Sequence, residues 1–344
     1  MKCRYRASGT LAKIETCSVW SGVPVHYPTY YYLPKVLAWP RGLTMAASIL
    51  WRCIRSAKNL QPSVILATWA FPDGFAAVLI GRMIGLPVVI KVHGSDVESL
   101  DVKGQTRRMS LWGLKGASKV ISVSSYLKEK LIEHGVERDK VAVVYNGVDS
   151  KLFCRQDRAS LRVELGMEPD RKTILFVGNL KEDKGLFDLL DALTYETCRR
   201  LNLKLIIIGD GPLRHRLQQL IKARALGDIV QMLGRKVPIE IAKWMNAVDC
   251  LCLPSHHEGV PNVILEALSC GVPVLATQVG GIPEVVSMAN GILVQPQRPE
   301  ELANGISNIF KRVWDRSAIC LNGPAKSWAE SAAALEHEIK GSIG

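Results

Sequence analysis

The chain has 344 residues, 48% of them apolar and 22% charged, with 28 Gly and 17 Pro; this excludes a disordered, collagenous or coiled-coil protein and predicts about two domains. Lys and Arg number 44 against 32 Asp and Glu, a formal charge of +12, and the excess is uneven: residues 1–150 hold 20 basic and 10 acidic residues, residues 151–344 hold 24 and 22. Nine Cys without a C-x-x-C pair argue against a disulfide framework, and the polar N-terminus does not fit a signal peptide.

Residues 1–62 hold nine Lys and Arg against Glu15 alone, interleaved with Tyr5, Trp20, Tyr27, Tyr30, Tyr31, Tyr32, Trp39 and Trp51. Basic residues among aromatics suit an anionic membrane surface, and a solvated basic edge is the plain alternative. Nucleic acid is not expected, since no recognition module is present. A short strand is predicted at 23–27 and a helix at 43–60. The least polar stretch, 60–90, is interrupted by Pro72, Asp73, Arg82 and Pro87, so it reads as strand, helix and strand and not as a membrane span.

From residue 63 onward, apolar β-branched runs at 63–68, 87–92, 119–124, 141–146, 173–178, 204–209, 229–233, 250–254 and 273–277 read as strands. Helices fit at 73–84, 125–133, 186–193, 213–225, 239–246, 263–269 and 325–340, with Ser125 and Asn262 as caps. Continuous apolar strands between helices imply parallel sheets covered on both faces. The polar stretch 150–170 breaks the rhythm and reads as a linker.

The strongest chemical signal is CLCLPSHHEGVPNVILEALSCGVPVLAT, residues 250–277. A loop carrying Glu258, Gly259 and Val260 opens a helix near Asn262 and Val263 that bears Glu266. A helix N-terminus binds anions such as phosphate, and a carboxylate one turn inside can accept both hydroxyls of a ribose. VGNLKEDKG, 177–185, places Gly178, Asn179 and Lys184 after another strand, where a Lys can neutralise a diphosphate leaving group. IIIGDGPLR, 206–214, puts Gly209 and Gly211 at a strand end, where backbone can approach a ligand closely. KVHGSDV puts His93 at the end of a further strand. Singly, each of these residues is more often an ordinary loop or surface group. Cys250 and Cys252 beside His256 and His257 resemble metal ligands, but the cysteines belong to a buried strand, so no metal site is expected.

Together with VYNGVD and HGSD, these segments resemble family 4 of the nucleotide-sugar glycosyltransferases over about residues 20–310, and the E-x7-E segment is specific. The resemblance implies an α/β GT-B fold of two Rossmann-like, doubly wound domains facing a cleft. The expected divisions are an acceptor-side domain at 1–157, a nucleotide-sugar domain at 158–324 and a helix at 325–344 that packs back on the first domain. It also implies retaining transfer, without metal or other cofactor, from a nucleotide-diphosphate sugar to a lipid-linked or cell-surface glycan acceptor. Glu266 would bind the ribose. Glu258 with the amides of Gly259, Val260, Asn262 and Val263 would hold the sugar and diphosphate. Lys184 would bind the diphosphate, His93 would meet the sugar, and the loop at Arg235 would border the base. His93, Lys184 and Glu258 are the catalytic candidates. Gly178, Asn179, Gly209 and Gly211 complete the donor set.

Two departures stand out. Asn179 replaces a frequent Arg, and the opening strand and Gly-rich loop of the first domain are not found before the matching segment at 21–34. The second departure supports an alternative reading, a catalytically impaired remnant or non-catalytic binding subunit. The expected location is the cytoplasm, peripheral on the inner face of the plasma membrane.

Overall fold

The computed structural model describes residues 17–28 and 40–343. Tyr5, Tyr30, Tyr31, Tyr32 and Trp39 of the aromatic region lie outside it, as does Cys3. The described chain forms two compact units, one of residues 17–28, 40–123, 128–143 and 335–343, the other of 124–127 and 144–334.

In the first unit, β1 (Cys17–Trp20) and β2 (Val23–His26) form an antiparallel hairpin. The helix Pro40–Leu60 follows and packs on the helix Phe75–Ile84. Four parallel strands, β3 (Ile65–Thr68), β4 (Val88–Val92), β5 (Lys119–Ser122) and β6 (Val141–Val143), lie side by side in chain order. Among the described residues no strand pairs with the outer edge of β3. All five residues of β4 are buried, as a strand covered on both faces requires. The helix Gln105–Gly116 was not foreseen; QTRRMSLWGLKG lacks an apolar stripe, and its buried positions are Ser110, Gly113 and Leu114. Residues 335–343 belong to this unit, where Glu338 pairs with Lys119 at 3.3 Å.

The second unit opens with β7 (Gly147–Val148), which pairs with the late strand Lys326–Ser327. Its main sheet contains β8 (Lys172–Val177), β9 (Leu203–Ile208), β10 (Val230–Gly234), β11 (Cys250–Leu253), β12 (Val274–Thr277) and β13 (Gly291–Val294). Their order is β10-β9-β8-β11-β12-β13, all parallel. That is the doubly wound order, with its switch point between β8 and β11, where ligands bind beyond the carboxyl ends of the strands. The strand Gly291–Val294 and the helix Pro299–Lys311 were not foreseen.

Three local readings change. The polar stretch 150–170 is not a bare linker: it carries the helix Arg158–Glu164, capped by Asp157 and anchored by buried Arg162, which donates to the carbonyls of Ala247, Glu168 and Arg171. The helix Ser125–Glu133 is capped by Ser124, whose hydroxyl accepts from the Leu127 amide, and Ser125 is its first residue. Asn262 is likewise inside its helix, because the cap position belongs to Pro261. Cys250 and Cys252 are buried in β11, where burial raises both thiols well above their ordinary value. Among the described residues no cluster of three or more His, Cys, Asp or Glu could hold a metal ion.

Candidate functional site

The loops that follow β8 and β11 flank the switch point of the second unit and, with the helix Asn262–Ser269 that the second loop opens, hold most of the candidate residues. After β8 the chain runs through Gly178 and exposed Asn179 into a short turn, Glu182–Lys184. Gly185, at φ 64°, then starts the helix Leu186–Ala192. A Cβ on Gly185 would lie 1.8 Å from the Pro254 carbonyl oxygen. Only glycine lets the two loops come this close.

Across that contact Lys184 and Glu258 meet. Lys184 Nζ donates to Glu258 Oε1 at 2.6 Å, and Ser255 Oγ donates to the same oxygen at 2.7 Å. The two charged side chains are 21% and 12% exposed. His256 adds a second tie: its amide donates to the Asp183 carbonyl at 2.8 Å and its Nε2 lies 2.7 Å from Asp188 Oδ2. His257 is exposed.

Beyond Glu258 the buried residues Gly259 and Val260 lead through Pro261 into the helix Asn262–Ser269. Pro261 offers no side-chain cap, so the amides of Asn262 and Val263 have no hydrogen-bond partner among the described residues. Free amides and the positive end of the dipole make this a place for an anion. Asn262 Oδ1 accepts from Asn146 Nδ2 at 3.0 Å, which fixes its side chain beside that end. One turn on, Glu266 has no hydrogen bond or ion pair among the described residues, and burial pushes its carboxyl up to about 7. A desolvated carboxylate without a partner is a characteristic of ligand sites.

Gly209 and Gly211 stand at the end of β9, as expected, but their close approach is to the chain itself. Added Cβ atoms would lie 1.8 Å from the Gly178 oxygen and 2.5 Å from the Leu180 oxygen. Arg235, just past β10, is exposed and unpaired among the described residues. The pair Gly280-Gly281 escaped the sequence reading. A Cβ on Gly280 would lie 1.7 Å from the Glu258 oxygen, and the Gly281 amide donates to the Gly259 carbonyl at 2.8 Å. The Gly-Gly pair after β12 was the available signal.

In the first unit, His93 follows β4 and its ring centroid lies 5.9 Å from that of Trp69. Burial lowers its imidazole below the ordinary value, Asp96 opposes this, and Lys91 adds to it. Asp96, which the sequence did not single out, is buried and accepts from the amides of Ala70, His93, Gly94 and Val97 at 3.0–3.2 Å. It shapes the HGSD turn that presents His93.

Two family patterns match the chain. Glycosyltransferase Family 4 matches residues 14–152, and Glycosyl transferases group 1 matches residues 157–319. An uncharacterised glycosyltransferase of Methanocaldococcus jannaschii is 30% identical over 281 residues, covering 80% of this chain and 74% of that protein. A glycosyltransferase assigned to teichuronic acid biosynthesis in Bacillus subtilis is 28% identical over 319 residues, covering 91% and 77%. Among solved structures, Anabaena HepE in complex with UDP superposes with a TM-score of 0.75 at 24% identity, covering 87% of this chain and 84% of that one. The matches run through both units and include the loops of the switch point, and by them the chain belongs to the family 4 glycosyltransferases, enzymes of the two-Rossmann GT-B fold.

Proposed function

We propose that this enzyme moves a sugar from a nucleotide-diphosphate sugar, a UDP-sugar being the first candidate, to a lipid-linked or cell-surface glycan acceptor, with retention of anomeric configuration and without a metal. The observation that carries the reading is the Lys184–Glu258 pair beside the uncapped end of the helix Asn262–Ser269. Lys184 and the Asn262 and Val263 amides are suited to the diphosphate. Glu266 is suited to the ribose hydroxyls, Glu258 with Gly259 and Val260 to the sugar, and Arg235 to the rim of the base. Gly178, Asn179, Gly209 and Gly211, where the chain after β8 and the chain after β9 approach closely, are proposed to complete the donor site. From the first unit, His93 is proposed as a ligand of the transferred sugar.

In the proposed reaction the bond from the anomeric carbon to the diphosphate oxygen breaks, and the electron pair leaves with the diphosphate. The acceptor hydroxyl forms the new bond on the same face, and its proton passes to the departing phosphate oxygen. Negative charge grows on the leaving group, and Lys184 with the two amides meets it without reorganisation. Glu258 keeps Lys184 in place.

The UDP complex of HepE supports the choice of base. The exposed side chains of Trp20 and Trp51, with Arg41, Arg52, Arg55 and Lys58 and no acidic residue on the helix Pro40–Leu60, support a membrane-surface partner on the inner face of the plasma membrane. No helix among the described residues is long and apolar enough to cross a membrane.

A thermal-shift panel of UDP-, GDP- and ADP-sugars tests the donor assignment, since a bound donor raises stability by mass action. Transfer followed by NMR of the product anomer tests the stereochemistry. An inverted product, or a chain that no nucleotide sugar stabilises, would sink the proposal.

A further inference from the structure

At the other end of the second unit's main sheet, beside the amino ends of β11 and β12, arginines surround a hollow. Arg155, Arg158 and Arg316 line a cavity of about 570 Å³, together with buried Asn246 and Cys270. That volume is in the range of small-molecule sites. An adjoining cavity of about 240 Å³ shares Arg158 and Arg316 and adds Lys172 and Arg312, so the positive lining continues. Asp249 and Pro273, on the wall of the smaller cavity, immediately precede β11 and β12. Lys184 and Glu258 instead follow the carboxyl ends of β8 and β11. The hollow is therefore separate from the proposed donor site.

Two of these guanidiniums are braced by backbone. Arg316, first residue of the helix Arg316–Leu321, donates to the carbonyls of Gly271 and Val248 at 3.1 Å and of Asn246 at 3.4 Å. Arg158 Nε donates to the Ala247 carbonyl at 3.3 Å, and its Nη2 to Asp249 Oδ1 at 2.6 Å. Contacts to helix-end carbonyls fix the two side chains but leave most of the charge uncompensated. Asp157, the acid on the wall of the larger cavity, is engaged as the cap of Ser160, and Asp315 caps Ser317 and Ala318. Asp249 is shared by Arg158, the Thr173 amide and, at 3.8 Å, Arg162. Burial lowers Arg316 to about 10; the charge of Arg158 adds to this, Asp249 opposes it, and Arg155 lowers it further. Arg155 is exposed and donates to the Ser317 hydroxyl, which leaves most of its five N–H donors without a partner among the described residues. An anion between such cations relieves their mutual repulsion, and the guanidinium fork matches phosphate oxygens in pairs.

We propose that Arg155, Arg158 and Arg316 form a second anion site, apart from the transfer chemistry, that binds a small soluble molecule bearing a phosphate or diphosphate group. A hollow walled by braced side chains suits a soluble molecule better than the flat surface of a bilayer. The site does not depend on the donor or acceptor assigned above.

The test is arginine modification by phenylglyoxal on the full chain, mapped to individual residues by mass spectrometry, with inorganic pyrophosphate against chloride at equal ionic strength. We expect pyrophosphate to slow the modification of Arg155, and to do so equally in Lys184→Ala, because this site does not use Lys184. Arg155 modified at the same rate with and without pyrophosphate would overturn the proposal, a result that needs no variant. So would protection that disappears in Lys184→Ala, since the anion would then act from the donor site. A second measurement is the thermal shift with pyrophosphate in Lys184→Ala, with and without Arg155→Gln. Adding Arg155→Gln should weaken the apparent affinity by at least about tenfold, and Arg155→Lys should fall between; an unchanged affinity would count against the site. Phosphatidylglycerol vesicles should leave Arg155 unprotected. Protection by vesicles and not by pyrophosphate would assign the cluster to a lipid headgroup and overturn the soluble ligand.

Discussion

Lys184 and Glu258 are 74 residues apart in sequence and 2.6 Å apart in space, joining the loop after β8 to the loop after β11. The pair is at once a structural tie and a proposed part of the chemistry, and the two roles separate experimentally. Lys184→Ala should lower kcat by about 10²–10³, the usual effect of removing one preorganised charge partner of a leaving group. If the pair were only a tie, the same variant would lower the melting temperature and leave kcat at saturating donor nearly intact. Steady-state kinetics beside a melting curve distinguishes these.

Glu266 gives a pH signature. The unfolded carboxyl ionises near 4.5 and the folded one at about 7, so the folded state keeps an extra proton between those values. This group therefore opposes folding as pH rises from about 4.5 to 7, and fully so above 7. Glu266→Gln should be more stable than wild type at pH 8, by on the order of 1–3 kcal/mol, and the gain should vanish below pH 4.5. The same variant should bind UDP more weakly. Ribose hydroxyls donating to the carboxylate favour its charged form, so UDP binding near pH 7 should release a proton. Calorimetry in two buffers of different ionisation enthalpy measures that release.

The tie between His256 and Asp188 should behave as a positioning element. Asp188→Ala should raise KM for the donor several-fold while kcat falls less, because it loosens the loop carrying Glu258 without touching the reacting atoms. In a double-mutant cycle with Lys184→Ala the effects should be non-additive by about 0.5–3 kcal/mol, as expected for groups holding the same pair of loops.

Asp96 stabilises the first unit through four amide hydrogen bonds to one buried carboxylate. Asp96→Asn replaces an acceptor by a group that also donates, which sets N–H against N–H in a buried site. The expected cost is about 2–4 kcal/mol, read as a lower urea midpoint with an unchanged slope.

The basic helix Pro40–Leu60 offers a separate test. Trp51 is 73% exposed, and Arg52, Arg55 and Lys58 follow it on the same helix. Co-sedimentation with vesicles rich in anionic lipid should weaken as salt rises and fall sharply when the three basic residues become Gln. Binding that ignores both lipid charge and salt would remove the membrane from the account.

Legibility in the sequence followed physical rules. Runs such as KLIIIG and CLCLP were readable as strands because a strand buried on both faces must be apolar throughout. Gly291–Val294 was not, because four residues opening on Gly carry too little pattern. The helix Arg158–Glu164 hid inside a polar stretch because its anchor is an arginine whose guanidinium binds carbonyls, not an apolar stripe. In the site, Lys184, Glu258 and Glu266 were readable as charges placed against strand ends and a helix start. Asp96 and Asp188 were not, since a buried carboxylate that serves backbone or His looks in sequence like any surface Asp. Gly209 and Gly211 were readable as a strand-end Gly pair, but the sequence does not show that their missing side chains also make room for neighbouring backbone.

That last point bears on how the enzyme could change its preferences. Gly185, Gly209 and Gly280 each hold a loop of the second unit so close to another that no side chain fits between. Reshaping any one loop would therefore require the others to move with it, and single substitutions cannot accomplish that. Variation in the sugar or base accepted should arise instead from side chains that project from this fixed frame, such as Asn179, Arg235 and His257, each exposed and free of those backbone contacts. A saturation library at these three positions should yield altered donor preference with intact folding, whereas one at the glycines should yield mostly unfolded protein.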